Sequence, residues 1–319
     1  MPNNQDKMIP VYLFMGFLEA GKTQFVQEAL EDSRFSTGEN TLLLVCEEGE
    51  EEYDLSKVPQ GKTTLQMIED ISELNPEHLG KLLKDCGAER VVIEYNGMWQ
   101  LDALLMGMPD NWGIYQAVCI ADATTFVMFN QNMRSLVVDK LNIAELVYFN
   151  RFPKGEEFQE LHQIVRGVSR RTDIYYEFPD GQTVIDDIED PLPFDTDAAH
   201  ITLEDKDFAL WFRDLMEDPK KYRGKKMTFK AMAYRDRSFP PNVFAVGRHI
   251  MTCCVEDIQY CWIAAEWEKP FTPGKDCWIT VTGEIKLMQQ ASNGKLVPMI
   301  RVSEMQNAEP PEQEVATFY

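Results

Sequence analysis

Pro10-Val11-Tyr12-Leu13-Phe14-Met15-Gly16-Phe17-Leu18-Glu19-Ala20-Gly21-Lys22-Thr23 runs from an apolar stretch, through a turn bounded by two glycines, into a helical pattern. The last eight residues satisfy the spacing G-x-x-x-x-G-K-S/T, which has a mechanical meaning when a strand precedes it and a helix follows. Glycine lets the backbone wrap closely, so that successive N–H groups of Gly16, Glu19, Ala20 and Gly21 point inward at an anion. The N-terminus of the following helix adds partial positive charge. Lys22 is expected to bridge two phosphates and the Thr23 hydroxyl to ligate Mg2+. The reading is a P-loop nucleotide site, and the fold expected around it is an α/β parallel sheet with flanking helices.

Working outward, short apolar runs alternate with helical patterns through the first half, as a parallel sheet with crossover helices requires. Strands are expected at 10–15, 41–46, 90–95, 116–120 and 145–149, with a short sixth at 173–176. Helices are expected at 22–30, 76–86, 135–141 and 155–166. From 178 to about 205 the chain is rich in Asp and Pro and reads as a connector. An amphipathic segment follows, with Phe208, Leu210, Trp211, Leu215 and Met216 on one face. Beyond Tyr222 the pattern is all-β, with strands expected at 226–234, 243–249, 258–266, 278–286 and 296–302. Asn293-Gly294 between the last two is a hairpin signal, because both residues tolerate positive φ. Five short strands suggest a small OB-like barrel. The expected organisation is therefore a nucleotide domain over 1–178, an acidic linker with connecting helix over 179–221, the barrel over 222–308 and a loosely held polar tail over 309–319.

Lys and Arg total 31 against 53 Asp and Glu, a formal charge of −22 in 319 residues. Such a field repels phosphate backbones and anionic lipid, which argues against nucleic acid or a membrane surface as partner. It also means that an anionic nucleotide must be held by local devices. No apolar run reaches the about 20 residues that span a bilayer, so no direct insertion is expected. The polar 1–7 segment does not read as an export signal, and an odd count of seven cysteines then favours reduced thiols and a cytoplasmic location.

The segment GFLEAGKT resembles the GFLGAGKT loop of CobW-like P-loop GTPases, relatives of the nickel-insertion GTPases of urease and hydrogenase. Val45-Cys46-Glu47-Glu48-Gly49 falls where that family has an Asn-Glu-Phe-Gly-like segment, and Ile93-Glu94-Tyr95-Asn96-Gly97 where it has Glu-Thr-Ser-Gly. Asp122-Ala123 resembles its Asp-Ala, and Phe149-Asn150-Arg151-Phe152-Pro153 sits where Asn-Lys-x-Asp reads guanine. The resemblance covers residues 9–176 and implies GTP, with ATP as an alternative, as ligand. Glu94 and Glu47, at strand C-terminal ends, are the candidate catalytic carboxylates, able to hold the Mg2+ shell or orient water. The rest of the acidic run 47–54 reads as a solvated loop. Three departures stand out. Pro153 replaces the guanine-reading Asp and Arg151 the Lys, leaving Asn150 as the remaining base contact. No Cys-x-Cys-Cys segment lies between the second and third strands. A β-rich unit replaces the usual C-terminal domain.

That unit resembles the C-terminal domain of YcgQ-like proteins, partners of a membrane permease. The matching text is Tyr222-Arg223-Gly224-Lys225, Ala233-Tyr234-Arg235-Asp236, Arg248-His249-Ile250-Met251-Thr252-Cys253-Cys254 and Val281-Thr282-Gly283. The resemblance implies an association with solute or metal transport. Cys253 and Cys254 are candidate Zn2+ or other soft-metal ligands, with His249 or Cys261 to complete a shell. Adjacent strand residues point to opposite faces, so the alternative is one buried thiol and one lining a groove. Cys46, Cys86, Cys119 and Cys277 lie in apolar contexts and read as core, while His78, His162 and His200 receive no role.

Three functions fit these residues. The first is a CobW-like GTP-hydrolysing switch in metal delivery to a client protein or in regulation of a transport partner. The second is a non-catalytic adaptor that recruits a permease or another protein. The third, a small-molecule kinase, is disfavoured because only Arg170-Arg171 resembles the paired arginines of a lid.

Overall fold

The computed structural model describes residues 8–58, 62–252, 258–289 and 295–318, and the chain divides into two compact units, Met1–Ile188 and Glu189–Tyr319. The first contains β1 (Ile9–Met15), α1 (Lys22–Glu31), β2 (Thr41–Val45), β3 (Thr63–Met67), α2 (Pro76–Cys86), β4 (Arg90–Glu94) and α3 (Leu101–Gly107). It continues with β5 (Trp112–Asp122), α4 (Phe126–Asn132), α5 (Arg134–Leu141), β6 (Leu146–Asn150), α6 (Gln159–Arg166), β7 (Asp173–Glu177) and β8 (Thr183–Ile185). The strands form one sheet in the order β3-β2-β4-β1-β5-β6-β7-β8, parallel except for the last pair.

The reason lies in composition. Thr41-Leu42-Leu43-Leu44-Val45 and Arg90-Val91-Val92-Ile93-Glu94 are buried at every position, as strands covered on both faces must be. Helix α1 lays Val26 and Leu30, four residues apart, against Phe14, Leu43, Val45, Val92, Val118 and Ile120. Each such burial contributes about 1.5–3 kcal/mol. Helix α2 starts where Asn75 accepts from the His78 N–H with Pro76 in the first turn, and stops at left-handed Gly87. Because the strands are parallel and β1 lies between β4 and β5, the loops leaving β1, β2, β4, β5 and β6 gather along one edge. Register places Glu94 beside Phe14 on one side and Val45 on the other.

The second unit contains β9 (His200–Thr202), α7 (Phe208–Glu217), β10 (Lys226–Tyr234), β11 (Val243–Ile250), β12 (Gln259–Glu266), β13 (Cys277–Gln289) and β14 (Leu296–Asn307). Its strands run β11-β12-β14-β13-β10, and a further β10–β11 pairing closes them into a five-stranded barrel. All ladders of the barrel are antiparallel except β12–β14. Alternate residues of β10, Met227, Phe229, Ala231 and Ala233, fill the interior, as a period of two dictates. Asn293-Gly294 and the pair Cys253-Cys254 lie outside the described residues.

Two expectations are corrected. The stretch 179–221 is not a free linker: β8 extends the sheet of the first unit, whereas β9 and α7 belong to the second. Trp211, Phe208 and Leu215 of α7 are buried in the barrel core, so its apolar face is the lid of the barrel. Nor is the tail loose. Ala316 bridges to Ile250, and Arg248 donates to the carbonyls of Gln313 and Glu314. A polar composition masked these main-chain contacts. The cysteines divide too: Cys46 and Cys119 are buried, while Cys86, Cys261 and Cys277 are half-buried. His162, given no role, is buried with Nδ1 2.8 Å from Asp186 Oδ2, and Tyr176 donates to the same carboxylate.

Candidate functional site

The turn between β1 and α1 holds three residues at positive φ, Gly16 (149°), Glu19 (61°) and Gly21 (86°). Glycine is required at the first: a Cβ there would lie 2.1 Å from the Ile120 carbonyl oxygen. Glu19 adopts φ > 0 with a side chain, an uncommon conformation for a non-glycine residue. The loop after β4 presses on the same turn, since a Cβ on Gly97 would sit 2.7 Å from Gly16 O and Phe17 Cα. Phe17 in turn stacks on Phe129 of α4 at 4.3 Å.

Lys22, the first residue of α1, is only 3% exposed. Its ammonium curls back to donate to Phe17 O at 2.9 Å and to Glu47 Oε2 at 2.6 Å. Glu47 follows β2, and its side chain is also enclosed. The neighbouring Thr23 hydroxyl donates to Glu94 Oε1 at 3.0 Å, and the Tyr53 hydroxyl donates to Glu94 Oε2. Glu94 is therefore a buried carboxylate with a donor on each oxygen. Burial pushes its carboxyl above the ordinary value, while hydrogen bonds from Tyr53 and Thr23 and the Lys22 charge pull the other way. Burial, with Glu94 beside it, pushes the Tyr53 phenol up and keeps it protonated.

On the other flank, Asn150 Nδ2 donates to Ala20 O at 2.7 Å, bracing the turn from the end of β6. Arg151, itself left-handed at φ 55°, donates to Glu19 O at 3.0 Å and to Asp122 Oδ2 at 2.7 Å. Burial raises the Asp122 carboxyl, but hydrogen bonds from Thr124 and Arg151 outweigh it and hold the group below its ordinary value. Behind the turn, the buried Lys140 ammonium donates to Trp99 O, and the adjoining Asp139 accepts from the Leu101 N–H. The loop leaving Glu94 is thus gripped from α5.

These groups surround an open cavity of about 360 Å³, lined by the whole of Gly16–Thr23 with Glu47, Glu94, Asp122, Phe129 and Arg151. An enclosed ammonium, a turn of backbone amides and a hydroxyl beside a carboxylate are the groups whose chemistry suits a phosphorylated anion with a hard cation. Thr23 and Glu94 offer the oxygen donors Mg2+ prefers. All the sequence-predicted residues of the first unit, Gly16, Glu19, Ala20, Gly21, Lys22, Thr23, Glu47, Glu94 and Asn150, fall at this cavity or directly brace it.

Tyr53 was not legible as a site residue. It is the one aromatic in the acidic run 47–54, a signal that could have marked it.

The candidate soft-metal ligands stand apart. Cys253 and Cys254 are outside the described residues. His249 pairs with Tyr260 and Cys261 with Arg248, so the side chains of His249 and Cys261 lie on opposite faces of the barrel wall. Among the described residues, no group of three or more His, Cys, Asp or Glu is placed to hold a metal ion. Among them, too, no helix is long and apolar enough to cross a membrane.

Residues 185–316 match the family described as the DUF1980 C-terminal domain. No curated protein matches the chain. Similar solved structures include a zinc-bound triple mutant of the YjiA GTPase, with 14% identity, TM-score 0.43, and 86% of this chain and 93% of that one covered. The zinc-bound YjiA GTPase from E. coli gives 14% identity and a TM-score of 0.41 over the same shares, 86% and 93%. The hydrogenase maturation factor HypB from Archaeoglobus fulgidus gives 13% and 0.37, over 54% of this chain and 81% of that one.

Proposed function

We propose that the Met1–Ile188 unit is a nucleotide switch of the CobW-like class, binding GTP with Mg2+ and hydrolysing it. The observation that carries the reading is the convergence of Lys22, Thr23 and Glu94 on an open cavity lined by the Gly16–Thr23 turn. In an acidic molecule the Lys22 ammonium and the backbone amides of the Gly16–Thr23 turn would supply the local positive potential that a triphosphate needs. Mg2+, held by Thr23 and Glu94, would neutralise charge on the phosphates. Glu94 would hold the Mg2+ shell or, once Tyr53 leaves its second oxygen, orient an attacking water. Glu47 is placed to assist only after leaving Lys22. Zn2+ as a second cofactor, held by Cys253 and Cys254, belongs to the same proposal.

The closed strand order β10-β11-β12-β14-β13 supports an OB-like reading of the barrel unit, and such barrels serve as binding modules. Its proposed role is to pass the nucleotide state to a transport partner, such as a membrane permease, or to a metal-client protein. A cytoplasmic location goes with this role. Phosphate release from Mg-GTP, measured with and without Zn2+, tests the enzyme; turnover above the rate of Lys22→Ala is expected.

A second reading has a specific observation in its favour. Pro153 offers no carboxylate to guanine, and Arg151 is engaged with Glu19 and Asp122. A non-catalytic adaptor would follow if Mg-GTP, Mg-GDP and Mg-ATP all leave the melting temperature unchanged.

A further inference from the structure

A lysine as enclosed as Lys22 needs an anion beside it, because an unpaired buried ammonium is strongly destabilising. The protein supplies that anion itself. Glu47 Oε2 lies 2.6 Å from Lys22 Nζ, with side-chain exposures of 9% and 2%. Lys22 is also the group that must meet a phosphate oxygen. A carboxylate and a phosphate cannot both crowd one ammonium without mutual repulsion. Further along the same loop, Tyr53 repeats the arrangement on the second half of the site, donating to Glu94 beside Thr23.

We propose that the segment 47–53, which follows β2, is a built-in latch, in which Glu47 occupies Lys22 in place of a nucleotide phosphate and Tyr53 occupies Glu94, so that nucleotide enters only as this segment lifts. The inference rests on the nucleotide reading above and assigns that site its regulation. Two further features fit a latch. Glu50 and Glu51 line the same cavity, so the closed loop sets a negative wall where an anion must enter. Beyond Tyr53, the loop is fastened to α1 by paired bonds of 3.0 Å between the Gln27 side chain and the Asp54 main chain. That fastening gives the latch a fixed end, about which 47–53 can swing.

Glu47→Gln keeps the shape of the side chain and removes the competing charge. A Mg2+ ligand would lose nucleotide affinity on this change, and a carboxylate that acts only on the attacking water would lose turnover with affinity unchanged; a latch gains affinity. The dissociation constant for Mg-GDP and Mg-GTP is expected to fall about tenfold, as it must if roughly nine molecules in ten are latched. Hydrogen exchange across 46–58 is expected to quicken in nucleotide-free Glu47→Gln, and in the unaltered protein once nucleotide binds. Tyr53→Phe is the second variant, expected to tighten Mg-GTP by a smaller factor and to serve if Glu47→Gln does not fold. Equal or weaker binding by both variants, with the unaltered protein binding normally, overturns the latch alone. Absence of binding by the unaltered protein and both variants overturns the nucleotide reading and the latch with it.

Discussion

In the Met1–Ile188 unit, buried charged groups gather at a cavity: Lys22 meets Glu47, and Glu94 takes donors from Thr23 and Tyr53. In the Glu189–Tyr319 unit, the buried Arg248 is held by the main-chain carbonyls of Asp205, Gln313 and Glu314, with the ring centres of Phe208 and Trp278 at 5.4 and 5.9 Å. In the first, Lys22 and Glu47 pair charge with charge, and on the proposed reading a ligand draws the pair apart. The second holds a cation by its two terminal nitrogens with fixed dipoles of the main chain. If the latch holds, buried charge serves a replaceable contact in one unit and a permanent strut in the other.

The largest expected effect tests the strut. Arg248→Met leaves three carbonyls without this donor and is expected to cost the barrel unit about 3–5 kcal/mol in urea unfolding, with nucleotide affinity unchanged. A loss below about 1 kcal/mol would erase the contrast. Next comes Gly97→Ala, whose Cβ meets the Gly16–Phe17 backbone at 2.7 Å. It is expected to weaken Mg-GTP binding about tenfold by displacing the turn, with circular dichroism unchanged. Asn150→Ala removes the brace on Ala20 O and is expected to weaken binding about fivefold, near 1 kcal/mol, by titration calorimetry.

The smallest effect concerns Asp207 of the barrel unit, whose carboxyl is raised by burial, with Lys206 opposing. A carboxyl raised in the folded state favours folding most below its unfolded value and disfavours it as pH rises through the folded one. Asp207→Asn is therefore expected to raise the melting temperature at neutral pH, and the gain is expected to vanish in acid, below the ordinary carboxylate range. A gain independent of pH would mean that charge is not the cause.

Much of this was legible beforehand because the chemistry is local. Gly16, Gly21, Lys22 and Thr23 are fixed by a turn that needs those residue types at that spacing, and the buried strands announce themselves as unbroken apolar runs. Glu94 was legible as an acid ending such a run. Strand β3, Thr63-Thr64-Leu65-Gln66-Met67, was missed because its edge position leaves its residues only partly buried, which blurs the pattern. Tyr53 and Arg248 were missed as structural centres for another reason. Their partners lie 41 residues away for Tyr53 and 65 for Arg248 with Gln313, and no local pattern encodes such contacts. The held tail belongs to the same class, as does the packing of α7, whose amphipathic face was legible but whose partner, the closed barrel, was not.

At the centre stands the proposal that the turn at Gly16–Thr23 holds nucleotide phosphates through Lys22. Titration calorimetry of Mg-GTP, Mg-GDP and Mg-ATP into the full chain and into Lys22→Ala tests this most directly. Saturable binding of at least one nucleotide is expected, weakened about 100-fold in Lys22→Ala while the melting temperature of the free protein stays near that of the unaltered chain. Binding that survives Lys22→Ala undiminished, or no binding of any of the three, would contradict it.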